Sequence, residues 1–333
     1  MVLKDADSPR FLVIGTGSIG RRHVANLKGL VPGGRLAFLR HEARVDDFSS
    51  MMHAHVFGAL DRAIEWRPTM AIVASPSDRH FDTLPGLLAA GIPTFVEKPV
   101  VIRAEDCAYL EGLRRVDLPP TQVGCVLRFT DLVARLKSWL DEGQLGRLIR
   151  ARFECGQYLP DWRPGSDYRT SYSASRKRGG GVIFDLVHEI DLAVMFFGDC
   201  TLLHAVRDQR SSLHITSEDV ALLHLRAADG LPIEVALDYV SRTPRREIRV
   251  IGEEATAILD FRTATLALHG PSGEEQRVVG TVSADAAYRL ELAELLDAAH
   301  GRGMTRLPLH EGLKATRLAI AAHAFVDQGG DGN

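Results

Sequence analysis

Cysteine is scarce in this 333-residue sequence, and the four present (Cys107, Cys125, Cys155, Cys200) stand far apart. They form no CxxC pair and no Cys/His cluster. A disulfide framework and a zinc site are therefore not expected, and reduced thiols in a cytoplasmic protein are. An excess of one charge is also lacking. The formal net charge of -3 gives no electrostatic reason for nucleic acid or an anionic membrane as a partner. The opening MVLKDADSPR has no long apolar run, so neither a secretory signal nor a membrane anchor is expected there. There is no internal repeat, and the closing GGDGN reads as a frayed tail. What is present is 45% hydrophobic and 25% charged residues, a soluble globular composition, in a chain long enough for about two domains.

The first third alternates. FLVIG (11–15), RLAFLR (35–40), MAIVAS (70–75), TFVEKP (94–99) and TQVGCVLR (121–128) read as strands. Helical spacing separates them at 18–30, 59–66, 78–91 and 104–115. Such alternation predicts a parallel sheet covered on both faces. After about residue 145 the pattern changes. Strands are expected at 148–159, 220–227, 232–240, 246–252, 255–261 and 263–270, joined by short Gly or Asp-Gly turns as in a meander. Helices return at 285–299 and 311–326. The predicted fold class is α/β: an N-terminal domain doubly wound on a parallel sheet (1–125), then a C-terminal α+β domain with a mainly antiparallel sheet (126–333).

Residues 15–20, GTGSIG, place G-x-G-x-x-G between a strand and a helix. Gly15 suits the tight turn, Gly17 a close approach to pyrophosphate and Gly20 close helix–strand packing, with the helix N-terminus facing the phosphates. Dinucleotide binding is expected, against the plainer reading of a tight turn without ligand. At the end of the second strand, where an acid would hold both ribose hydroxyls of NAD, stand Arg40 and His41, with Glu42 just beyond. A guanidinium there suits a 2′-phosphate, so NADP(H) is favoured over NAD(H). The rival is Glu42 holding the ribose while Arg40 faces water. Lys98, in EKP (97–99), ends a buried strand where ligands of such sheets bind, and a surface lysine capping the strand is the alternative.

GGGVIFDLVHEID (179–191) packs Asp185, His188, Glu189 and Asp191 into seven positions. On a helix from about 182, Asp185, His188 and Asp191 fall at i, i+3 and i+6, with the imidazole between two carboxylates. A carboxylate on one ring nitrogen would fix the tautomer and leave the other for chemistry. No second histidine follows at ligand spacing, so no metal is expected.

GTGSIGRRH (15–23), ASPSDRH (74–80), AAGIPTFVEKP (89–99) and GGG…HEID (179–191) together resemble the glucose–fructose oxidoreductase/inositol dehydrogenase (Gfo/Idh/MocA) family over nearly the whole chain. The resemblance implies an N-terminal Rossmann domain (1–125), a C-terminal α/β domain with an open sheet (126–333), and NAD(P)-dependent oxidation or reduction at a sugar-like carbon. It also implies oligomer contacts, as a homodimer or homotetramer, through the C-terminal sheet. Through these motifs Ser18, Ile19, Ser75, Pro76, His80 and Glu97 join Gly15, Gly17, Gly20, Arg40, His41 and Lys98 as expected cofactor contacts. Lys98 is implied beside the substrate hydroxyl and His188 as general acid/base. Many members carry an aspartate four residues before that histidine. Here Phe184 stands there, leaving Asp185 and Asp191 as competing partners.

The polar, aromatic segment 157–178 is long and irregular, as binding segments often are. Tyr158, Trp162 and Tyr168 are candidates to stack on a sugar or base. Arg163 and Arg169, with Arg176, Lys177 and the more distant Arg128, are candidates for a phosphate or carboxylate. The expected substrate is an anionic sugar derivative, such as a nucleotide sugar or sugar acid. The alternative function is a non-catalytic dinucleotide-binding sensor of the same fold, which would not need both Lys98 and His188.

Overall fold

The computed structural model describes residues 8–326 except 42, 274, 282 and 283, and the backbone alone of 284. Glu42 and the terminal GGDGN thus lie outside the described residues. The chain divides into two compact units, Met1–Val126 with Asp285–Leu313, and Leu127–Ala284 with Lys314–Asn333.

The first unit alternates β1 (Arg10–Ile14), α1 (Ser18–Leu30), β2 (Arg35–Leu39), α2 (Asp47–Met51), β3 (His55–Phe57), α3 (Leu60–Glu65), β4 (Met70–Val73), α4 (Leu84–Ala89), β5 (Thr94–Glu97), α5 (Ala104–Glu111) and β6 (Thr121–Gly124). The strands pair in the order β3-β2-β1-β4-β5-β6, all parallel. Strand order therefore reverses between β1 and β4, the crevice where such sheets bind dinucleotides. β4 and β5 bury every side chain, as strands covered on both faces must. The helix expected at 78–91 is shorter. A 3₁₀ turn spans Ser77–Arg79 and α4 starts at Leu84, with Pro85 in its first turn, where a missing N–H breaks no helical bond. The strand expected at 121–128 stops at Gly124, and Val126–Phe129 turns as 3₁₀.

The second unit carries α6 (Asp131–Asp141), β7 (Leu148–Gly156), α7 (Val182–Asp185), α8 (His188–Phe197), β8 (Cys200–Asp208), β9 (Val220–Ala227), β10 (Pro232–Asp238), β11 (Arg245–Gly252), β12 (Thr256–Asp260), β13 (Thr265–His269) and β14 (Glu275–Val279). Its eight strands run β14-β13-β12-β11-β7-β10-β9-β8, antiparallel apart from the β7–β10 pair. Along β9 buried and exposed residues alternate strictly after Val220, so one face meets helices and the other stays open. α8 lies on β7, β8 and β10, and α6 on β12 and β13.

The helices α9 (Ala284–Ala299) and α10 (Leu309–Ala324) close the chain. The units change at Val126, next to the expected boundary, but Asp285–Leu313, expected in the second domain, belongs to the first unit. Leu292 and Leu295 of α9 are fully buried in one cluster with Phe11, Val13, Val24 and Phe95, so the apolar face of α9 completes that core.

Candidate functional site

The glycine loop of the first unit separates two physical demands. A Cβ on Gly15 would meet Ala74 O and Ser75 N at 2.6 Å, and one on Gly20 would collide with Gly15 O. These two glycines are required by packing. A Cβ on Gly17 would meet nothing within 4 Å, and its φ of -67° suits any residue, so the fold itself does not demand glycine there. Gly17 is also the N-cap of α1, which has no side-chain cap and no acid in its first turn. An uncapped helix start beside a cleared surface fits a pyrophosphate. Ser18 is exposed there, while Ile19 packs on the core.

Arg40 follows β2 over the Phe38 ring. Its Nη1 lies 2.9 Å from Asp46 Oδ2 and donates to Arg44 O, while Nε and Nη2 are buried without a hydrogen-bond partner among the described residues. Asp46 caps α2, and the Ser49 N–H, with Arg40 second, holds its carboxyl down to about 2. His41 is exposed beyond it.

Ser75 and Pro76 form the turn after β4. His80 ties that turn to the EKP segment: Nε2 lies 2.9 Å from Ser75 O, and Nδ1 lies 3.1 Å from both Pro99 O and Val100 O. Burial pushes the His80 imidazole below its ordinary range. His80 therefore works as a brace. Glu97 also faces inward, with Oε1 2.7 Å from His23 Nε2 and Oε2 accepting the Lys98 N–H at 3.3 Å. Lys98 is half-buried at the strand end.

In the second unit, the three glycines before the helix answer three constraints. Gly179 is left-handed (φ 80°), a Cβ on Gly180 would collide with Tyr172 O, and Gly181 (φ 118°) lies against the Glu218 carboxylate. That carboxylate accepts the Ile183 N–H at 3.2 Å, and burial raises it above the usual carboxylate range. The single helix expected from 182 is broken: α7 ends at Asp185 and α8 starts at His188. Every residue from Gly179 to Val194 is buried except His188.

The acids around His188 are anchored to other elements. Asp185 Oδ2 accepts the Tyr239 hydroxyl at 2.5 Å and lies close to Tyr172. Burial, followed by that carboxylate, holds both phenols well above their ordinary range. Glu189 pairs with Arg246 at 2.6 Å. Asp191 takes a two-pronged bond from Arg128, 2.8 Å on each oxygen, while Arg128 Nη2 also donates to the Asp191 carbonyl at 3.2 Å. The spacing that put His188 between Asp185 and Asp191 did not show these further partners of the two acids.

The expected substrate residues divide. Trp162 stacks edge-on to Tyr239 and donates to Gln157 O, and Tyr158 lies 3.5 Å under the Arg242 guanidinium. Tyr168 Oη accepts the His214 N–H, and Arg169 pairs with Asp167 at 2.8 Å. Arg163 stays exposed near the Tyr172 ring. Sequence reasoning missed Tyr172, Tyr239, Arg246 and Glu218. Tyr172 lies within 157–178 itself, whereas Glu218, Tyr239 and Arg246 reach the 181–189 stretch from elsewhere in the chain, and no local pattern marks such partners. Among the described residues no three His, Cys, Asp or Glu side chains group as metal ligands, and no helix is long and apolar enough to cross a membrane.

Residues 9–113 match the oxidoreductase family, NAD-binding Rossmann fold, and residues 133–258 match the GFO/IDH/MocA C-terminal domain. An inositol 2-dehydrogenase of Mycolicibacterium gilvum is 26% identical over 96% of this chain and 91% of its own length. An inositol dehydrogenase homolog of Azotobacter vinelandii, solved with NAD+, superposes with a TM-score of 0.80 at 16% identity, covering 97% of this chain and 98% of its own. A UDP-N-acetylglucosamine 3-dehydrogenase of Acidithiobacillus ferrooxidans superposes with a TM-score of 0.76 at 19% identity, covering 94% and 96%.

Proposed function

The chain belongs to the GFO/IDH/MocA oxidoreductase family, and from that premise we propose that it is an NADP(H)-preferring dehydrogenase or reductase of an anionic sugar derivative. It is a dehydrogenase acting on CH–OH groups, with an NAD-binding Rossmann domain. The observation that carries the catalytic assignment is the exposure of His188, the one residue left partly open in a run that is otherwise buried from Gly179 to Val194.

In the oxidising direction His188 takes the hydroxyl proton of the substrate, and Lys98 orients the oxygen and stabilises its developing negative charge. A nicotinamide dinucleotide held by the first unit would supply the hydride acceptor for the carbon that bears this hydroxyl. The Gly15–Gly20 turn and the start of α1 hold the pyrophosphate. Arg40, with Nε and Nη2 directed to no described partner, takes the 2′-phosphate. His41, Ser75, Pro76 and the neighbouring turn complete the cofactor contacts, and Glu97 and His80 act behind them. Tyr158, Trp162, Arg163 and Tyr168 recognise the sugar and its acidic group. The chain assembles as a homodimer or homotetramer through the open sheet, where Val206 and Leu222 pair across β8 and β9 and are both exposed.

The test is turnover by purified protein with NADPH or NADH across a panel of nucleotide sugars, sugar acids and keto-sugars. Lys98→Met and His188→Asn are expected to lose at least about 100-fold in kcat, within the range for general acid–base and oxyanion groups. Wild-type turnover by either variant sinks its role. Arg40→Asp is expected to reverse the cofactor preference, and unchanged discrimination refutes the 2′-phosphate contact.

A further inference from the structure

Beneath the EKP segment lies a set of titratable groups that the reaction above does not use. Glu291 of α9 is fully buried, and neither carboxyl oxygen has a hydrogen-bond partner among the described residues. One helical turn before it, Tyr288 packs on His23, and the charge of Glu97 acts on Glu291; the oxygens of Glu97 are engaged by His23 Nε2 and by the Lys98 amide. His23 is fully buried as well, wedged between the Phe95 and Tyr288 rings at 4.8 and 6.1 Å.

Two ionised carboxylates buried in one neighbourhood are strongly disfavoured, which favours a retained proton on one of them. The donors decide which acid retains it. Glu97 is served by a ring nitrogen and a backbone N–H, which suit an ionised acceptor; Glu291 is served by neither.

We propose that Glu291 is kept as the neutral acid beside the His23–Glu97 pair, and that these three side chains form the positioning device for Lys98. Glu97 is the link: one oxygen is fixed to α1 through His23 and the other to the backbone of Lys98. A second negative charge at Glu291 would push the Glu97 carboxylate off both donors and release the lysine. Burial, with the charge of Glu97 next and that of Glu294 after it, raises the Glu291 carboxyl well above the usual carboxylate range. The other groups around the cluster are Tyr288, itself raised by burial and then by Glu97, Arg22 over the Tyr288 ring at 4.7 Å, and His80, on which the charge of Glu97 also acts.

The inference rests on the reading of Lys98 as the residue at the substrate oxygen, so the experiment has one arm that needs no substrate. Infrared difference spectra of the cofactor-free wild type against Glu291→Gln at neutral pH are expected to contain the carbonyl stretch of a protonated carboxyl. Absence of that band overturns the proposal. In the kinetic arm, Glu97→Gln is expected to lose about 10- to 100-fold in kcat, the scale of a small misplacement of a catalytic group, with KM little changed. Glu291→Gln, a fixed neutral acid, is expected to extend the alkaline limb of the kcat profile beyond that of the wild type. A Glu97→Gln variant with wild-type kcat, or superimposable alkaline limbs, also overturns it. If the wild type turns over no sugar, the functional reading fails while the infrared arm still locates the proton. If Glu97→Gln does not fold, the pH comparison with Glu291→Gln decides.

Discussion

Asp185, Glu189 and Asp191 are near neighbours in sequence and answer to Tyr239, Arg246 and Arg128 respectively. Three charged groups in one short apolar stretch are tolerated because each is paired, as buried charges must be. The pairing makes anchors of the acids around His188, a structural role distinct from the acid/base role proposed for its imidazole. Arg128, expected from sequence to meet the substrate, provides a sharp test of this division. Its guanidinium is 11% exposed and Asp191 is 1% exposed. Arg128→Met leaves a buried carboxylate unpaired and is expected to cost about 3–5 kcal/mol of stability, read from urea midpoints. An unchanged midpoint with a raised KM would return Arg128 to the substrate.

At the scale of elements, the parts legible in the sequence are those whose cause is local. The β1 turn was legible because strand, glycine spacing and helix fall within 21 residues, and the buried strands β4 and β5 because both faces are apolar. β3 and β14 escaped because one has three residues and the other is an exposed edge strand rich in polar side chains. The break between α7 and α8 escaped because Leu186 and Val187 keep the apolar pattern through it. Within the glycine loop the structure divides what the motif lumps together, and two substitutions test that division. Gly20→Ala sets a Cβ against Gly15 O and is expected to abolish cooperative melting. Gly17→Ala meets only open space and is expected to keep the melting temperature while weakening NADPH binding by tenfold or more, about 1.4 kcal/mol. Equal damage to folding by both, or wild-type affinity in Gly17→Ala, would remove the loop's assignment as a phosphate cradle.

At the scale of the whole molecule, the order of residues conceals how the first unit is completed. A sequence reading assigns everything after residue 125 to the second domain, because composition and periodicity change there. Periodicity cannot show which core a distant amphipathic helix will join. α9 places Leu292 and Leu295 in the core of the first unit. The chain after it runs along the free edge of β6: Val123 donates to Leu307 O at 2.9 Å, Thr305 Oγ1 to Thr121 O at 2.6 Å, and Leu309 N to Thr121 Oγ1 at 2.8 Å.

The segment 285–313 therefore buries apolar surface and covers a sheet edge, two functions a Rossmann unit cannot dispense with. At about 1.5–3 kcal/mol for each fully buried leucine, its loss consumes much of a typical net stability of about 5–15 kcal/mol. A fragment ending at Val126 is expected to keep far-UV ellipticity, lose near-UV signal and bind a hydrophobic dye, the behaviour of a core without fixed packing. The same fragment joined by a flexible linker to 285–313 is expected to melt cooperatively and to bind NADPH. Cooperative melting of the short fragment, at the temperature of the joined one, would show that the N-terminal stretch is a domain by itself and that α9 only rests on it.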